Sequence, residues 1–381
     1  MNRILHVFSI IGTAEAFFDG QFRYLYDHGF EVNIICSPSE RIAAFAKKNF
    51  TQYAEIEISR SIKPLTDLRS ILKICKYIRK NRIGTVVGHT PKGALLAMIS
   101  GTLTRVPNRI YYRHGLIYTT KTGVSRAILK GFEYFISSLS TKIIDVSPSV
   151  AKLCIDANLN PENKQQLIGK GSCGGIDTFS QYNPLLINLV EQQALRTRLN
   201  IDQDSLVIGF AGRLCRDKGI NELVQAFKIL QSSYPDKNIC LLLVGDHDQR
   251  DHLEPDIINE IESNPKIIRT GWISSTAMNF YYSLMDVFVF PSYREGFGMS
   301  VIEASSMQIP VLVSQSHGCV DTIFPEVTGR YIKIHPVEIA QDIPFFFDEF
   351  KRQEFGRNGR AWVSANFDKT VLWPEMLKIY C

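Results

Sequence analysis

Two carboxylates, Glu295 and Glu303, bracket a Gly-rich turn, Gly296-Phe297-Gly298, that runs into an apolar stretch holding Val301, Ile302 and Ala304. Glycine at 296 and 298 lets a backbone approach a ligand closely. The amides of Met299, Ser300 and Val301 are expected to be the unpaired donors of a helix start, where an anion is stabilised. One turn in, Glu303 is placed to accept bonds from two ribose hydroxyls, and Glu295 to reach a sugar on the far side of the phosphates. This order of residue types suits a sugar nucleotide. It also fits an ordinary strand-loop-helix with an acidic first turn, where Glu is favoured anyway.

A second constellation narrows the choice. Residues 206–211 read as a buried strand, the turn that follows carries Arg213 and Lys218, and residues 220–231 read as a helix with Leu223, Val224, Phe227 and Leu230 on one side. A helix dipole disfavours cations at its N-terminus, so Arg213 and Lys218 beside one read as a clamp for a diphosphate. Arg216, between them, reads as solvent-exposed.

The pattern Gly212-Arg213 and Lys218-Gly219 followed by Glu295 and Glu303 resembles the retaining glycosyltransferases of family 4. The likeness extends to His89-Thr90-Pro91-Lys92-Gly93, Arg113-His114-Gly115, Val146-Ser147-Pro148-Ser149, Gly171-Ser172, Gly175-Ile176-Asp177 and Pro291-Ser292-Tyr293-Arg294, and so covers nearly the whole chain. Together these elements resemble the bacterial subgroup that extends lipid-diphosphate-linked saccharides for capsule, exopolysaccharide or O-antigen. The resemblance implies an α/β, GT-B fold: two doubly wound Rossmann-like domains facing across a cleft. It implies a donor site of Gly212, Gly296, Phe297, Gly298, Met299, Ser300, Val301 and Glu303. Catalysis falls to Arg213, Lys218, Glu295 and His114, the last closest to the reacting sugar. Gly12, His89 and Lys92 are expected on the acceptor side, although Gly12-Thr13 stands where the family has Gly-Gly. A UDP-linked hexose or N-acetylhexosamine is the implied donor, a substrate rather than a cofactor, and neither metal nor other cofactor is implied. His317-Gly318-Cys319 resembles a small turn facing the donor sugar, or is simply a tight turn; His6 is expected to be a hydrogen-bonded core residue.

These residues need a scaffold, and the chain supplies alternating strands and helices twice over. Short apolar runs fall at 4–9, 32–36, 85–88, 109–112, 142–146 and 166–169, and again at 206–211, 240–244, 267–270, 287–290, 311–313 and 330–333. Such alternation predicts two mainly parallel sheets. The expected division is an acceptor-binding domain at 1–184, a nucleotide-sugar-binding domain at 185–364, and a final stretch at 365–381 whose helix, about 369–380, crosses back. The link is placed at the polar, Pro-ended 180–184, before a helix at 185–199. The length, 381 residues, suits two cores. Eight cysteines without CxxC or metal spacing read as reduced, mostly buried thiols of a cytosolic protein. No stretch is long and apolar enough to span a bilayer, and the N-terminal apolar run reads as a first strand rather than a signal peptide.

Charge is unevenly spread. Residues 1–184 hold 24 Lys and Arg against 13 Asp and Glu, a net of +11, and the remainder nets −6. The segment 65–82 concentrates Arg69, Lys73, Lys76, Arg79, Lys80 and Arg82 around an expected stripe of Leu68, Leu72, Cys75 and Ile78. It reads as a solvated surface helix or as one that lies on anionic lipid, with 125–136 as a second candidate. On the second reading a peripheral position on the cytoplasmic face of the cell membrane is expected. Nucleic acid is a weaker explanation, since no binding motif accompanies the charge. Three other readings remain open: a sugar-nucleotide epimerase of the same architecture, a non-catalytic membrane-docking subunit, and a nicotinamide dehydrogenase, which the absence of GxGxxG after the first strand argues against.

Overall fold

A computed structural model describes residues 2–59, 61 and 63–380. The chain divides into two compact units, one formed by residues 1–175 and 370–381, the other by residues 176–369.

The first unit is built on a seven-stranded sheet. Its strands are β1 (Asn2–Val7), β2 (Phe30–Cys36), β3 (Gln52–Glu55), β4 (Thr85–His89), β5 (Asn108–Arg113), β6 (Lys142–Asp145) and β7 (Gln165–Leu167), in the order β3-β2-β1-β4-β5-β6-β7. Every pairing is parallel, with Ile4 beside Val32 on one side and Thr85 on the other. The central strands are apolar on both faces because helices cover both, which is why they read as continuous hydrophobic runs. β3 escaped that reading. It is a short edge strand of polar sequence, Gln-Tyr-Ala-Glu, with little burial. Ser147 of the Val146–Ser149 motif caps the helix Pro148–Asp156, its Oγ accepting from the Val150 amide at 3.3 Å.

The second unit repeats the plan with six parallel strands: β8 (Leu206–Ala211), β9 (Ile239–Val244), β10 (Ile267–Arg269), β11 (Val287–Phe290), β12 (Val311–Ser314) and β13 (Gly329–Ile332), ordered β10-β9-β8-β11-β12-β13. In each sheet the strand order reverses once, between β1 and β4 and between β8 and β11. Such switch points leave a crevice outside the carboxyl ends of the strands.

The division of the chain falls earlier than the polar stretch at 180–184, which belongs to the second unit. Arg360 holds it there by donating to the carbonyls of Thr178 and Tyr182 and to Asn183 Oδ1, at 3.0 to 3.1 Å. The fully buried Asp368 accepts from the Thr178 amide and hydroxyl at 2.9 and 2.7 Å. Residues 365–369 likewise stay with the second unit, and the helix Lys369–Tyr380 places Leu372, Met376 and Tyr380 in buried positions. The single helix expected at 185–199 is instead a 3-10 turn, Pro184–Leu186, followed by the helix Leu189–Arg198, because the Asn188 side chain caps a new start by accepting from the Val190 and Glu191 amides.

The helix Pro64–Lys80 also differs from expectation. Its buried face is Ser70, Ile71, Ile74, Cys75 and Ile78, so Leu68 and Leu72, expected beside Cys75 and Ile78, lie outside with Leu65 at 56 to 76% exposure. Seven cysteines are free and buried; Cys381 lies outside the described residues. Among the described residues no helix is long and apolar enough to cross a membrane.

The end of β5 is fixed by a buried ion cluster. Arg113, fully enclosed, donates to Asp145 at 3.0 Å, to Ser137 at 2.8 Å and to Asn160 at 3.0 Å, and lies 3.5 Å from Glu133, which also accepts from the Tyr111 hydroxyl at 2.9 Å. Removing one partner of a buried pair strands the others in low dielectric. Arg113→Ala should therefore cost about 3–5 kcal/mol of unfolding free energy, read from urea denaturation; a loss under about 1 kcal/mol would show the carboxylates to be neutral or hydrated.

Candidate active site

In the second unit the candidate residues sit on loops that leave β8, β11 and β12 at one edge of the sheet. Two glycines bring these loops into contact. Gly219 has φ +70°, and a Cβ there would lie 2.1 Å from the Pro291 carbonyl oxygen; Gly318 has φ +79°, and a Cβ there would lie 2.5 Å from the Gly296 oxygen. Only glycine fits either position. The Lys218 loop thereby packs on the start of the 291–298 loop, and the His317-Gly318-Cys319 turn packs on its Glu295-Gly296 segment, to which the Gly298 amide adds a bond to the Gly318 carbonyl at 3.2 Å.

Lys218 donates to Glu295, both largely enclosed, and Arg213 donates to Asp248, a nearly buried carboxylate beyond β9. Arg250 joins Asp248 from the other side, at 3.1 Å through both Nε and Nη2. Hydrogen bonds from Arg250, with Arg213 assisting, hold the Asp248 carboxyl well below the usual range. One anion thus serves two guanidinium groups, and the cluster carries one more positive charge than negative. Arg216, read as exposed, is 64% exposed and 3.4 Å from Asp251. Arg294 closes the loop from below by donating to Asp217 at 2.5 Å, with the Tyr293 amide on the Asp217 carbonyl at 2.9 Å.

The helix Met299–Ser306 starts at Gly298 as the turn predicts. Two of the three amides expected to be unpaired are not: Met299 donates to the Phe297 carbonyl at 2.9 Å and Val301 to the Gly298 carbonyl at 3.0 Å, because the first turn closes on itself. Glu303 accepts from the Tyr282 hydroxyl at 2.8 Å, and burial raises its carboxyl to a pKa of about 7 against the hydrogen bonds of Tyr282 and Tyr182. Sequence reasoning missed Asp248, Arg250, Tyr182 and Tyr282. For the first two a signal existed: Gly245-Asp246-His247-Asp248-Gln249-Arg250 is a charged run directly after a wholly apolar strand. A cavity of about 350 Å³ opens at the amino-terminal edge of the same sheet, beside Arg196, Ser205, Leu206 and Ile239. Its polar groups answer one another, Arg196 donating to the Asp202 and Ser205 carbonyls at 2.8 Å and Asp286 accepting from the Val207 amide at 2.8 Å, so it offers no convergent chemistry.

In the first unit Gly12 lies in the helix Ile11–Phe17 that follows β1, and Lys92 in the helix Pro91–Leu103 that follows β4. Lys92 is nearly buried and donates to Asp67 of the helix Pro64–Lys80, so its charge is already compensated. His89, expected on the acceptor side, is not open to a ligand. It ends β4 fully buried, because Phe8 stacks on its ring at 4.2 Å and His114 covers it. His114 is partly exposed, stacked on Tyr112 at 4.9 Å and on Phe17 at 5.5 Å. His6 is the hydrogen-bonded core residue expected, with its Nδ1 2.8 Å from His89 Nε2. Among the described residues no group of three or more His, Cys, Asp or Glu is arranged to hold a metal ion.

Residues 191–362 match the family described as "Glycosyl transferases group 1", and residues 6–146 match "Glycosyl transferase 4-like". The capsular polysaccharide biosynthesis glycosyltransferase CapM of Staphylococcus aureus is 32% identical over 372 residues, covering 95% of this chain and 92% of the relative. An Escherichia coli UDP-Gal:alpha-D-GlcNAc-diphosphoundecaprenol alpha-1,3-galactosyltransferase is 22% identical, covering 84% of this chain and 80% of its own length. Among solved structures, Anabaena Alr3699/HepE in complex with UDP-glucose has a TM-score of 0.81 at 16% identity, covering 99% of each chain, a likeness of fold. A relative alike over nearly its full length, with a family match on each half, leads to one conclusion: this chain belongs to the family 4 glycosyltransferases and has their GT-B fold.

Proposed function

We propose that the protein transfers a sugar, with retention of anomeric configuration, from a nucleoside diphosphate donor, UDP-linked, to a lipid-diphosphate-linked saccharide in surface polysaccharide synthesis. The observation that carries the reading is the cationic excess at the end of β8, where Arg213 and Lys218 lean on anions that a diphosphate can replace. The relatives support the acceptor class, as the S. aureus and E. coli enzymes are a capsular polysaccharide and a diphosphoundecaprenol-saccharide transferase.

The difficult step is departure of the nucleotide as positive charge grows at the anomeric carbon. Arg213 and Lys218 neutralise the charge developing on the leaving phosphate, a preorganised electrostatic stabilisation that commonly contributes most to catalysis. The bond from the anomeric carbon to the phosphate oxygen breaks, and the acceptor hydroxyl oxygen bonds to that carbon on the same face. Its proton passes to the departing phosphate oxygen. Glu295 orients the donor sugar, Glu303 binds the ribose, and the first unit, with Gly12, Lys92 and His114, receives the acceptor and steadies the sugar. In this scheme the two cations do the work of a divalent metal.

Arg213→Ala and Lys218→Ala are expected to stay folded and to lose about a hundredfold or more in turnover. A transfer assay with a radiolabelled nucleotide sugar and a lipid-diphosphate monosaccharide measures this; activity near wild type in both would remove the clamp from the mechanism.

Glu303 supplies a pH test. A carboxyl raised from 4.5 to about 7 is protonated in the folded protein over that interval and ionised in the unfolded chain, so its burial favours folding at low pH and the contribution falls as pH rises towards 7. Ligand binding runs the other way, because two ribose hydroxyls need the ionised acceptor. Calorimetric titration with UDP should show affinity rising from pH 6 to pH 8 by roughly three- to tenfold, a rise absent in Glu303→Gln. Equal pH dependence in both proteins would place the ribose elsewhere.

Peripheral attachment to the inner face of the membrane is assigned to the first unit. On the helix Pro64–Lys80 the exposed Leu65, Leu68 and Leu72 alternate with the exposed Arg69, Lys73, Lys76, Arg79 and Lys80. The helix Gly123–Leu139 adds exposed Val124, Ile128 and Phe135 beside Arg126 and Lys130. Each well-placed cation contributes about 1 kcal/mol at an anionic surface, an attraction that salt screens. Replacing Lys73, Lys76, Arg79 and Lys80 by Gln should release the protein from phosphatidylglycerol liposomes in a sedimentation assay while transfer to a short soluble acceptor persists. Undiminished sedimentation would make this helix a solvated face.

A further inference from the structure

Asp248 lies on the loop after β9 and faces the loop after β8 that carries Arg213 and Lys218. The backbones of the two loops are tied together. The Gly212 amide donates to the Val244 carbonyl and the Leu214 amide to the Asp246 carbonyl, both at 2.9 Å, the Asp248 amide returns a bond to the Leu214 carbonyl at 3.2 Å, and the Asp217 amide donates to the Asp251 carboxylate at 2.7 Å. The chain is thus fixed on both sides of Arg213. When Arg213 changes partners, it does so by turning its side chain.

The Asp248 side chain is 6% exposed, whereas Arg213 and Arg250, the two guanidinium groups that meet on it, are 52% and 63% exposed. They hold it unequally. Arg250 bonds both oxygens, its amide and Nε reaching Oδ1 at 3.0 and 3.1 Å and its Nη2 reaching Oδ2 at 3.1 Å. Arg213 reaches Oδ2 alone, through Nη1. An enclosed carboxylate that loses its donors is costly, so the order of departure matters. Withdrawing Arg213 leaves each oxygen of Asp248 with a donor from Arg250; withdrawing the Arg250 side chain leaves Oδ2 dependent on Arg213. The Lys218–Glu295 pair has no third member among the described residues, so Arg213 is the cation whose release strands no charge.

We propose that Arg250 is a positioning residue that keeps Asp248 satisfied while Arg213 turns from it to the donor diphosphate, and that it thereby sets how tightly the donor binds. An Arg213 N–H passes from a carboxylate oxygen to a phosphate oxygen, and Asp248 stays on Arg250. Arg250 itself needs no contact with the donor. This role rests on the glycosyl-transfer reading, in which a nucleoside diphosphate occupies the loop after β8.

Calorimetric titration of the full chain with UDP, without acceptor, tests the role in wild type, Arg250→Ala, Asp248→Asn and the double variant. In Arg250→Ala the enclosed carboxylate depends on Arg213, which UDP must pull away. UDP affinity should fall roughly tenfold, and donor KM should rise by a similar factor with kcat little changed, since the cost falls equally on bound donor and transition state. Asp248→Asn removes the competing anion, so UDP should bind it at least as tightly as wild type. In that background Arg250→Ala should cost less than about threefold, the share of a solvent-screened charge. An equal tenfold loss in both backgrounds would make Arg250 a direct phosphate ligand and overturn the positioning role; wild-type affinity in Arg250→Ala would overturn it too. A wild type that binds no UDP would overturn the donor reading and this role with it. Coupled UDP binding in a protein that transfers no sugar would support the role and count against the transfer reaction alone.

Discussion

Parallel pairing in both sheets is the constraint from which the rest follows. A chain that must re-enter each strand from the same edge delivers every carboxyl end to the opposite one, and the loops leaving that edge are the only backbone free to carry chemistry. His89 ends β4 and Lys92 follows it, His114 follows β5, Arg213 and Lys218 follow β8, and Glu295 follows β11. Polar side chains gathered so closely must satisfy one another or bind something. The hydrogen-bonded row of His6, His89 and His114, the Arg113 cluster, the Arg213–Asp248–Arg250 group and the Lys218–Glu295 pair are four outcomes of that demand.

The four differ in how readily a ligand can enter them. Arg113 and its carboxylates are sealed, so their role is to fix the end of β5 rather than to exchange partners. Arg213 is 52% exposed, and an ion pair at such a site is held by little, typically under about 1 kcal/mol. A diphosphate, with more charge and more acceptor oxygens than one carboxylate, competes well for it. Lys218 and Glu295, at 14% and 13% exposure, are nearly as enclosed as Lys92 and Asp67 of the first unit, so Arg213 is the open member of the set.

Much of this was legible in the residues. Strands buried on both faces announce themselves as apolar runs, and Arg213, Lys218 and Glu295 stand out in the sequence because each is a charged residue shortly after such a run. Their partners were not. Asp248 lies thirty-five positions from Arg213 and meets it only because β8 and β9 are neighbours. The histidine row needs the order of three strands, which no local pattern encodes. β3 was missed because an edge strand need not be apolar, and the buried face of the helix Pro64–Lys80 was misjudged because its leucines and isoleucines outnumber what one face requires, leaving Leu65, Leu68 and Leu72 outside.

The proposed reaction depends on the exchange of protein anions for a diphosphate at Arg213 and Lys218. A crystal structure of the protein with a bound UDP-sugar tests it most directly. Phosphate oxygens within hydrogen-bonding distance of both cations, with Asp248 or Glu295 displaced from its pair, is the predicted result. A nucleotide bound away from these residues, or bound while both pairs remain closed, would contradict it.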